Sequence, residues 1–484
     1  MYRKDNGQIT IAEFNSPFGE LDKENRWVKI ADMIPWHRYE EKYAAQFCED
    51  NGAPAINFRM AMGSLIIKQR KDISDDELLR DITENVYLQY LIGLHEFTKV
   101  PPFSQSSISN FRKYITAEMI KEINDEIFQI EKDEQDPPES REDKGDDESF
   151  EESEPANKGT MLLDATCTPA NIAYPTDINL LNEAREKLEG MIDSMHPKGY
   201  NGLKPRTYRR KARKAYLIFI KQRRPDKRLI RKAIGQQLRY VKRNLGHVEG
   251  MIQKFGESGL KQQQKDWLTT IIKLYEQQKY MYEAKTHSVE NRIVSISQPH
   301  VRPIVRGKTN ASVEFGAKVS INMIEGYVFI DKIGWEAYSE EALLIPAIIE
   351  YKERYGFYSE AVLVDKIYRN RDNRAFCKEH GIRISGPRLG RPPKETNKAV
   401  IHQQRTDASE RNAVEGKFGE GKTGYGLDRI PARLIGSSET VIAMSFFCMN
   451  ISRRLRVLLR FFGFPGSCKF FIAVLTLTGL LGKP

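Results

Sequence analysis

The chain has 484 residues, more than one hydrophobic core of ordinary size would use, and its 40% hydrophobic and 29% charged residues exclude a disordered or membrane-embedded chain. The formal charge of +10 matters only where it is concentrated. Cys48, Cys167, Cys377, Cys448 and Cys468 form no CxxC pair and no zinc-ligand spacing, which excludes a stapled or zinc-built fold and fits a reducing, cytoplasmic setting.

The first twenty residues hold no apolar stretch ahead of a small-residue cleavage site, so no secretion signal is expected. From Trp36 to Ile115 apolar residues recur at helical spacing, and Ser74 with Glu77 has the form of a capping box. Residues 1–125 are therefore expected to form an all-helical domain. Its last piece, "PPFSQSSISNFRKYI", offers Ser104 or Ser106 as N-cap and then Ser107, Asn110, Arg112 and Lys113 on a short helix, of a kind that enters a DNA groove or simply presents a polar face. Residues 126–158 are acidic, with prolines, glycine and serines, and read as a flexible linker.

Residues 159–460 are expected to form a mixed α/β domain. "MLLD" closes on Asp164 as a short apolar strand, and the chain then turns helical for more than a hundred residues, an inserted subdomain over 177–290. Strand character returns in "RIVSIS" and in "ASVEFGAKVSINMIEGYVFIDKI", whose Glu325-Gly326 turn suggests antiparallel pairing. A β-α-β-α-β run follows, with Asp365 closing "AVLVD". The tail, 461–484, contains the apolar "FFIAVLTLTGLL", at 12 residues too short to span a bilayer and expected to be buried, with no membrane partner.

Carboxyl ends of strands are where chemistry gathers in such sheets. If the strands of Asp164 and Asp365 are neighbours, two carboxylates converge, which is costly unless a cation lies between them; hard oxygen donors without Cys or His indicate Mg²⁺ or Mn²⁺. Two such ions suit phosphodiester chemistry, with a third carboxylate to complete the cage. In "RNAVEGKFGEGKTGYG", Arg411, Glu415 and Lys422 share one helix face, with Phe418 close by as an anchor. Alone, an Arg–Glu pair one turn apart is an ordinary salt bridge and a strand-end aspartate an ordinary turn cap. The ordered set Asp, Asp, Glu with both cations at fixed offsets points to catalysis. Between Pro197 and Lys232, Arg209, Arg210, Lys211, Arg213, Lys214, Arg223 and Arg224 stand with other cations against the single acid Asp226, interleaved with Tyr208, Tyr216 and Phe219. This composition suits DNA phosphates, the aromatics stacking on bases or packing helices, or else it is simply a solvated helix face.

These residues resemble bacterial insertion-sequence transposases of the DDE type, in the IS-five-like group. "PWHRYEEKYA" and "FSQSSISNFRK" resemble that group's N-terminal transposase domain; "LLDATCTPANIAYPTD", "VEFGAKVSI" and "VLVDKIYRNRDNRAFCKEHGIRISGP" resemble its catalytic half; and Arg411, Glu415 and Lys422 fit its R-(3)-E-(6)-K signature. Two positions depart from the pattern: Ala408 stands where relatives often carry tyrosine, and Ile367 where a small residue is expected.

The resemblance implies an RNase H-like mixed-sheet catalytic domain with a helical insertion and an all-α N-terminal DNA-binding domain. It implies Asp164, Asp365 and Glu415 as the metal-binding catalytic triad for two Mg²⁺ or Mn²⁺ ions, and Arg411 and Lys422 as contacts to DNA phosphates. The implied activity is binding of terminal inverted repeats followed by strand cleavage and strand transfer into target DNA, by a homodimer in the bacterial cytoplasm at the nucleoid. A nuclease that cuts without joining would use the same carboxylates, and a decayed copy would only bind DNA.

Overall fold

A computed structural model describes residues 10–48, 54–135, 156–196, 202–305, 313–386 and 398–461. The N-terminal part is helical: α1 (Arg26–Met33), α2 (Trp36–Ala44), α3 (Phe58–Lys71), α4 (Asp75–Glu84), α5 (Val86–Leu91), α6 (Ser107–Tyr114) and α7 (Ala117–Gln135). Polar residues start these helices by satisfying free backbone N–H groups: the Asn25, Asn57 and Ser74 side chains accept from the amides of Trp27, Met60 and Glu77. Helix α3 is buried nearly all round and carries the core of this region, with the Arg59 guanidinium donating to the Tyr90 and Leu91 carbonyls and lying over the Trp36 ring.

Helix α7 continues to Gln135, ten residues into the stretch expected as linker, because Ile123, Ile127 and Phe128 extend its apolar stripe. Phe128 meets the rings of Tyr327, Phe329 and Tyr355 edge-on, so this helix docks on the sheet of the second domain. Residues 136–155 of the expected linker lie outside the described residues.

The second domain is built on a six-stranded sheet: β1 (Thr160–Pro169), β2 (Arg302–Val305), β3 (Val313–Ile324), β4 (Tyr327–Gly334), β5 (Ala361–Leu363) and β6 (Arg383–Ile384). The path is β2-β3-β1-β5-β6, with β4 also paired to β3; β1 runs antiparallel to β3 and parallel to β5, and β5 parallel to β6. Mixed order of this kind, antiparallel strands first and parallel ones after, is RNase H-like. The β3–β4 hairpin turns at Glu325 (φ 50) and Gly326 (φ 81), two consecutive left-handed residues as a type I′ turn requires.

The strand expected in "RIVSIS" does not form. Its apolar residues serve two cores instead of a ladder: Ile293 and Ile296 pack into the helical insertion while Val294 packs under the sheet. The insertion, α8 (Asp177–Met195), α9 (Arg209–Ile220), α10 (Lys227–Phe255) and α11 (Gln262–Ala284), closes on its own core of residues such as Leu188, Ile192, Val241, Val248 and Ile271.

Helices α12 (Leu344–Tyr355) and α13 (Arg371–Glu379) cover one face of the sheet, against Met161, Leu163, Val362 and Val364; α14 (Lys398–Gly424) and α15 (Ile435–Phe461) cover the other, against Leu162, Val319, Ile321 and Leu363. Alternation along each strand sorts the residues between these faces. Helix α15 is shared by two cores. Val441, Ile442, Phe446 and Met449 pack beneath the sheet, and Ala443, Met444, Phe447, Cys448, Ile451 and Leu455 pack into the N-terminal helices. Asn450 adds a polar stitch: its side chain accepts from Val328 N (2.9 Å) and donates to Val328 O (2.7 Å) and Asn124 Oδ1 (2.7 Å). The apolar run expected to be a buried tail, within residues 462–484, lies outside the described residues. Among the described residues no helix is long and apolar enough to cross a membrane.

Candidate active site

Asp164 was expected to end its strand, but β1 runs on to Pro169 and Asp164 lies within it. What ends beside Asp164 is the parallel pairing: β5 pairs with Thr160, Met161 and Leu162 only, while β3 follows β1 as far as Pro169. Leu162 is opposite Leu363, so Asp164 and Asp365 each stand two residues beyond the last parallel pair. Alternation then puts both on the face of Leu162 and Leu363, the face covered by α14.

Asp365 is exposed but held. Beyond it the Lys366–Tyr368 turn is pinned by Tyr368, buried in the core under α12 and α13, and the preceding Val364 N–H donates to Ser385 Oγ (2.9 Å). Asp164 is half-buried, and its carboxylate accepts from the adjacent Ala165 N–H (2.8 Å). Burial pushes the Asp164 carboxyl up to about 6; the Ala165 N–H opposes this, the charges of Asp365 and Glu340 add to it, and Arg411 lowers it.

Helix α14 brings the remaining groups. Buried Asp407 ties its first half to β6 through Arg383 (2.6 Å), and Val414 and Phe418 sink into the core beneath the sheet. Arg411, on the same side, places Nη1 2.5 Å from Asp365 Oδ1. Glu415 is one turn further, about 40° round the helix from Arg411, and faces solvent. Lys422 is half-buried in the last turn. Asp164, Asp365 and Arg411 are thus brought together; Glu415 stands on the rim, and among the described residues no three acidic, His or Cys side chains converge on one point.

The donor set still fits a hard divalent cation. Two carboxylates within electrostatic reach, one of them half-buried and raised in pKa, are a pair of oxygen donors that a cation stabilises in their charged form.

Sequence reasoning missed a polar strip under the site. Glu340, in the turn before α12, is felt by Asp164 and pairs with Lys318 (2.7 Å), while Tyr338 OH meets Ser320 Oγ (2.8 Å). The available signal was Lys318, Ser320 and Asn322 recurring at every second position of an otherwise apolar strand.

The expected DNA contacts divide. On α6, Asn110 and Lys113 are exposed, with Lys113 over the Tyr114 ring, whereas Ser107 bonds Ser104 and Arg112 makes a two-pronged pair with Asp75 (2.8 and 3.0 Å). Arg112 therefore fastens α6 to α4. Arg209 likewise grips Asp193 with both nitrogens (2.8 and 2.7 Å) and fastens α9 to α8. Arg210, Lys211, Arg213, Lys214, Arg223 and Arg224 remain exposed.

An RNase H-like sheet with paired aspartates beneath a helix that carries Arg411 and Lys422, joined to a helical module, is an arrangement suited to phosphodiester chemistry. The comparisons narrow it: residues 362–452 match the transposase DDE domain, and residues 17–114 match a transposase domain of the DUF772 type. Both matched stretches belong to transposase domains, which supports a DNA transposase function and implies DNA as a partner. The first match includes Asp365, Arg411, Glu415 and Lys422 and begins beyond Asp164. DDE transposase domains work with divalent metal ions. An uncharacterized protein of Rhizobium meliloti, ORF8 in the nfe locus, is 27% identical over 161 residues, 33% of this chain and 70% of its own length. No solved structure matches the chain.

Proposed function

We propose that the chain binds the terminal inverted repeats of its own element, nicks the DNA there, and joins the freed 3′-hydroxyl to target DNA, acting as a homodimer because two ends must be processed together. The observation that carries this reading is the register-equivalent position of Asp164 and Asp365 on the face covered by α14, with Arg411 and Glu415 one helical turn apart above them.

Asp164, Asp365 and Glu415 would hold two Mg²⁺ or Mn²⁺ ions. When bound, such ions lower the pKa of an attacking hydroxyl and stabilise the leaving oxygen of an in-line displacement. Asp164 gives up its proton above about pH 6 and then presents a charged oxygen from the sheet. Arg411 neutralises Asp365 in the free chain; released from it, the guanidinium is available to a phosphate oxygen, which it matches in two-pronged geometry. Lys422 supplies a second cation along the same helix. Phe418 and Val414 keep α14 seated so that these side chains hold their spacing. Cleavage and joining are the same displacement with water and then a 3′-hydroxyl as nucleophile, so one constellation serves both.

The test is cleavage of labelled DNA carrying the element's own end, with Mg²⁺ and an unlabelled target duplex, comparing the intact chain with Asp365→Asn. Metal-dependent nicking and joined product, both lost in the variant, support the reading. Nicking without joined product leaves a nuclease, and end-binding without nicking by either protein leaves a DNA-binding relic.

A further inference from the structure

Helix α9 buries a single residue, Ala212, and leaves most of its side chains exposed. Its inner row is fixed to α8: Arg209 to Asp193, Ala212 fully buried, and Tyr216 OH to Asn179 Oδ1 (3.1 Å). At 3.6 residues per turn the other rows turn outward. Arg210 and Arg213 lead to Leu217, and Lys211 and Lys214 lead to Ile218, so each outer row starts with two cations and ends with an aliphatic side chain. Leu217, Ile218 and Ile220 are 42%, 56% and 44% exposed, a patch at the C-terminal tip that nothing among the described residues covers. Lys221, Arg223 and Arg224 follow directly, so the patch has cations on both sides.

We propose that α9 is a DNA wedge: the cations of its first two turns and of the 221–224 segment straddle the backbone, and Leu217, Ile218 and Ile220 enter at a place where the duplex is opened. This rests on the DNA-transposase reading. Charge complementarity decides the occupant. A second copy of α9 laid against this patch would set like charges against each other, and three side chains fall far short of the ~800 Å² per partner that a stable interface buries. A polyanion matches the cations, and apolar side chains inserted between base steps offset part of the unstacking they cause. Pinning of the inner row holds the helix rigid for such insertion.

The full chain is titrated by fluorescence anisotropy with two probes, a labelled 30-base-pair duplex and the same duplex ending in a dT₁₀ fork carrying 2-aminopurine at the junction. The expected result is tighter binding of the fork, on the order of tenfold, with a rise in 2-aminopurine fluorescence. The triple variant Leu217→Ser, Ile218→Ser, Ile220→Ser loses the preference and the fluorescence change while keeping duplex affinity. Lys211→Ala, Arg213→Ala, Lys214→Ala weakens both probes alike and lowers the salt slope of log K by about 2–3. Duplex binding without fork preference in the unaltered chain, or a preference that survives the serine variant, overturns the wedge and leaves the transposase reading standing. Loss of self-association in the serine variant, read by sedimentation, would make the patch a protein interface and also overturns it. Failure to bind either probe overturns both readings.

Discussion

Replacing Asp164 with asparagine should stabilise the metal-free protein, and more so as pH rises. Asp164 is a half-buried carboxyl whose pKa is lifted from 3.8 to about 6, chiefly by burial. For an acid raised on folding, the native state binds the extra proton, so stability is lost as pH climbs: no penalty below the unfolded value, the full penalty above the folded one. A rise of about 2 units corresponds to roughly 3 kcal/mol, reduced to about 2 kcal/mol for residual solvent screening. Linkage puts about half of this already in place at pH 5, so the advantage of Asp164→Asn should grow by about 1 kcal/mol between pH 5 and pH 8. Asparagine keeps the shape and its Oδ1 still accepts from Ala165 N–H. Asp331 is also pushed up, to about 7, by burial, but it adds the same pH dependence to both proteins and cancels in the difference. The assay is thermal melting with a chelator at pH 5 and pH 8, where 1 kcal/mol in a domain of this size is a shift of about 2–4 °C. A variant less stable than the parent at pH 8, or an advantage that shrinks as pH rises, would refute the account of Asp164 as an uncompensated carboxylate.

The same carboxylate makes cation binding pH-dependent: Mn²⁺ should raise the melting temperature more at pH 8 than at pH 5, because at the lower pH it must displace a proton from Asp164, and equal shifts would remove Asp164 from the donor set. Arg411→Gln frees Asp365 from a partly exposed ion pair that contributes no more than about 1 kcal/mol, so the protein should stay folded, bind Mn²⁺ at least as tightly in calorimetric titration, and nick DNA poorly; collapse of the fold would make Arg411 structural. Asn450→Ala strands the buried Val328 N–H and C=O, and urea unfolding should show a loss of about 2–4 kcal/mol; a loss under about 0.5 kcal/mol would remove Asn450 as the stitch between α15 and β4.

Local features were legible in the sequence because local chemistry determines them. Ser74 caps α4 since a hydroxyl there reaches the Glu77 N–H, and Glu325-Gly326 makes the hairpin turn because it tolerates two left-handed residues. Both aspartates stood out as polar residues closing apolar runs. The actual extent of β1 did not, because "ATCTP" has little apolar character of its own and is extended by its pairing with Gly316 through Ser320. "RIVSIS" misled for the complementary reason: alternation reports which side chains are buried and is silent on which core buries them.

The larger omission was α15. Its middle, Val441 to Met449, is apolar but for Ser445, which by itself says only that this stretch is buried. That it is buried between two domains depends on residues far away in the chain: Thr440 Oγ1 donates to Ile115 O (2.9 Å), 325 positions away, and Asn450 spans from Asn124, 326 away, to Val328, 122 away. A side chain that bonds α7 and β4 at once cannot keep both partners if the helical domain shifts against the sheet. The helical domain and the carboxylate-bearing sheet are therefore coupled through one rigid rod. The exposed Asn110 and Lys113 of the N-terminal helices and the carboxylates under α14 are thereby held in a fixed relation by packing.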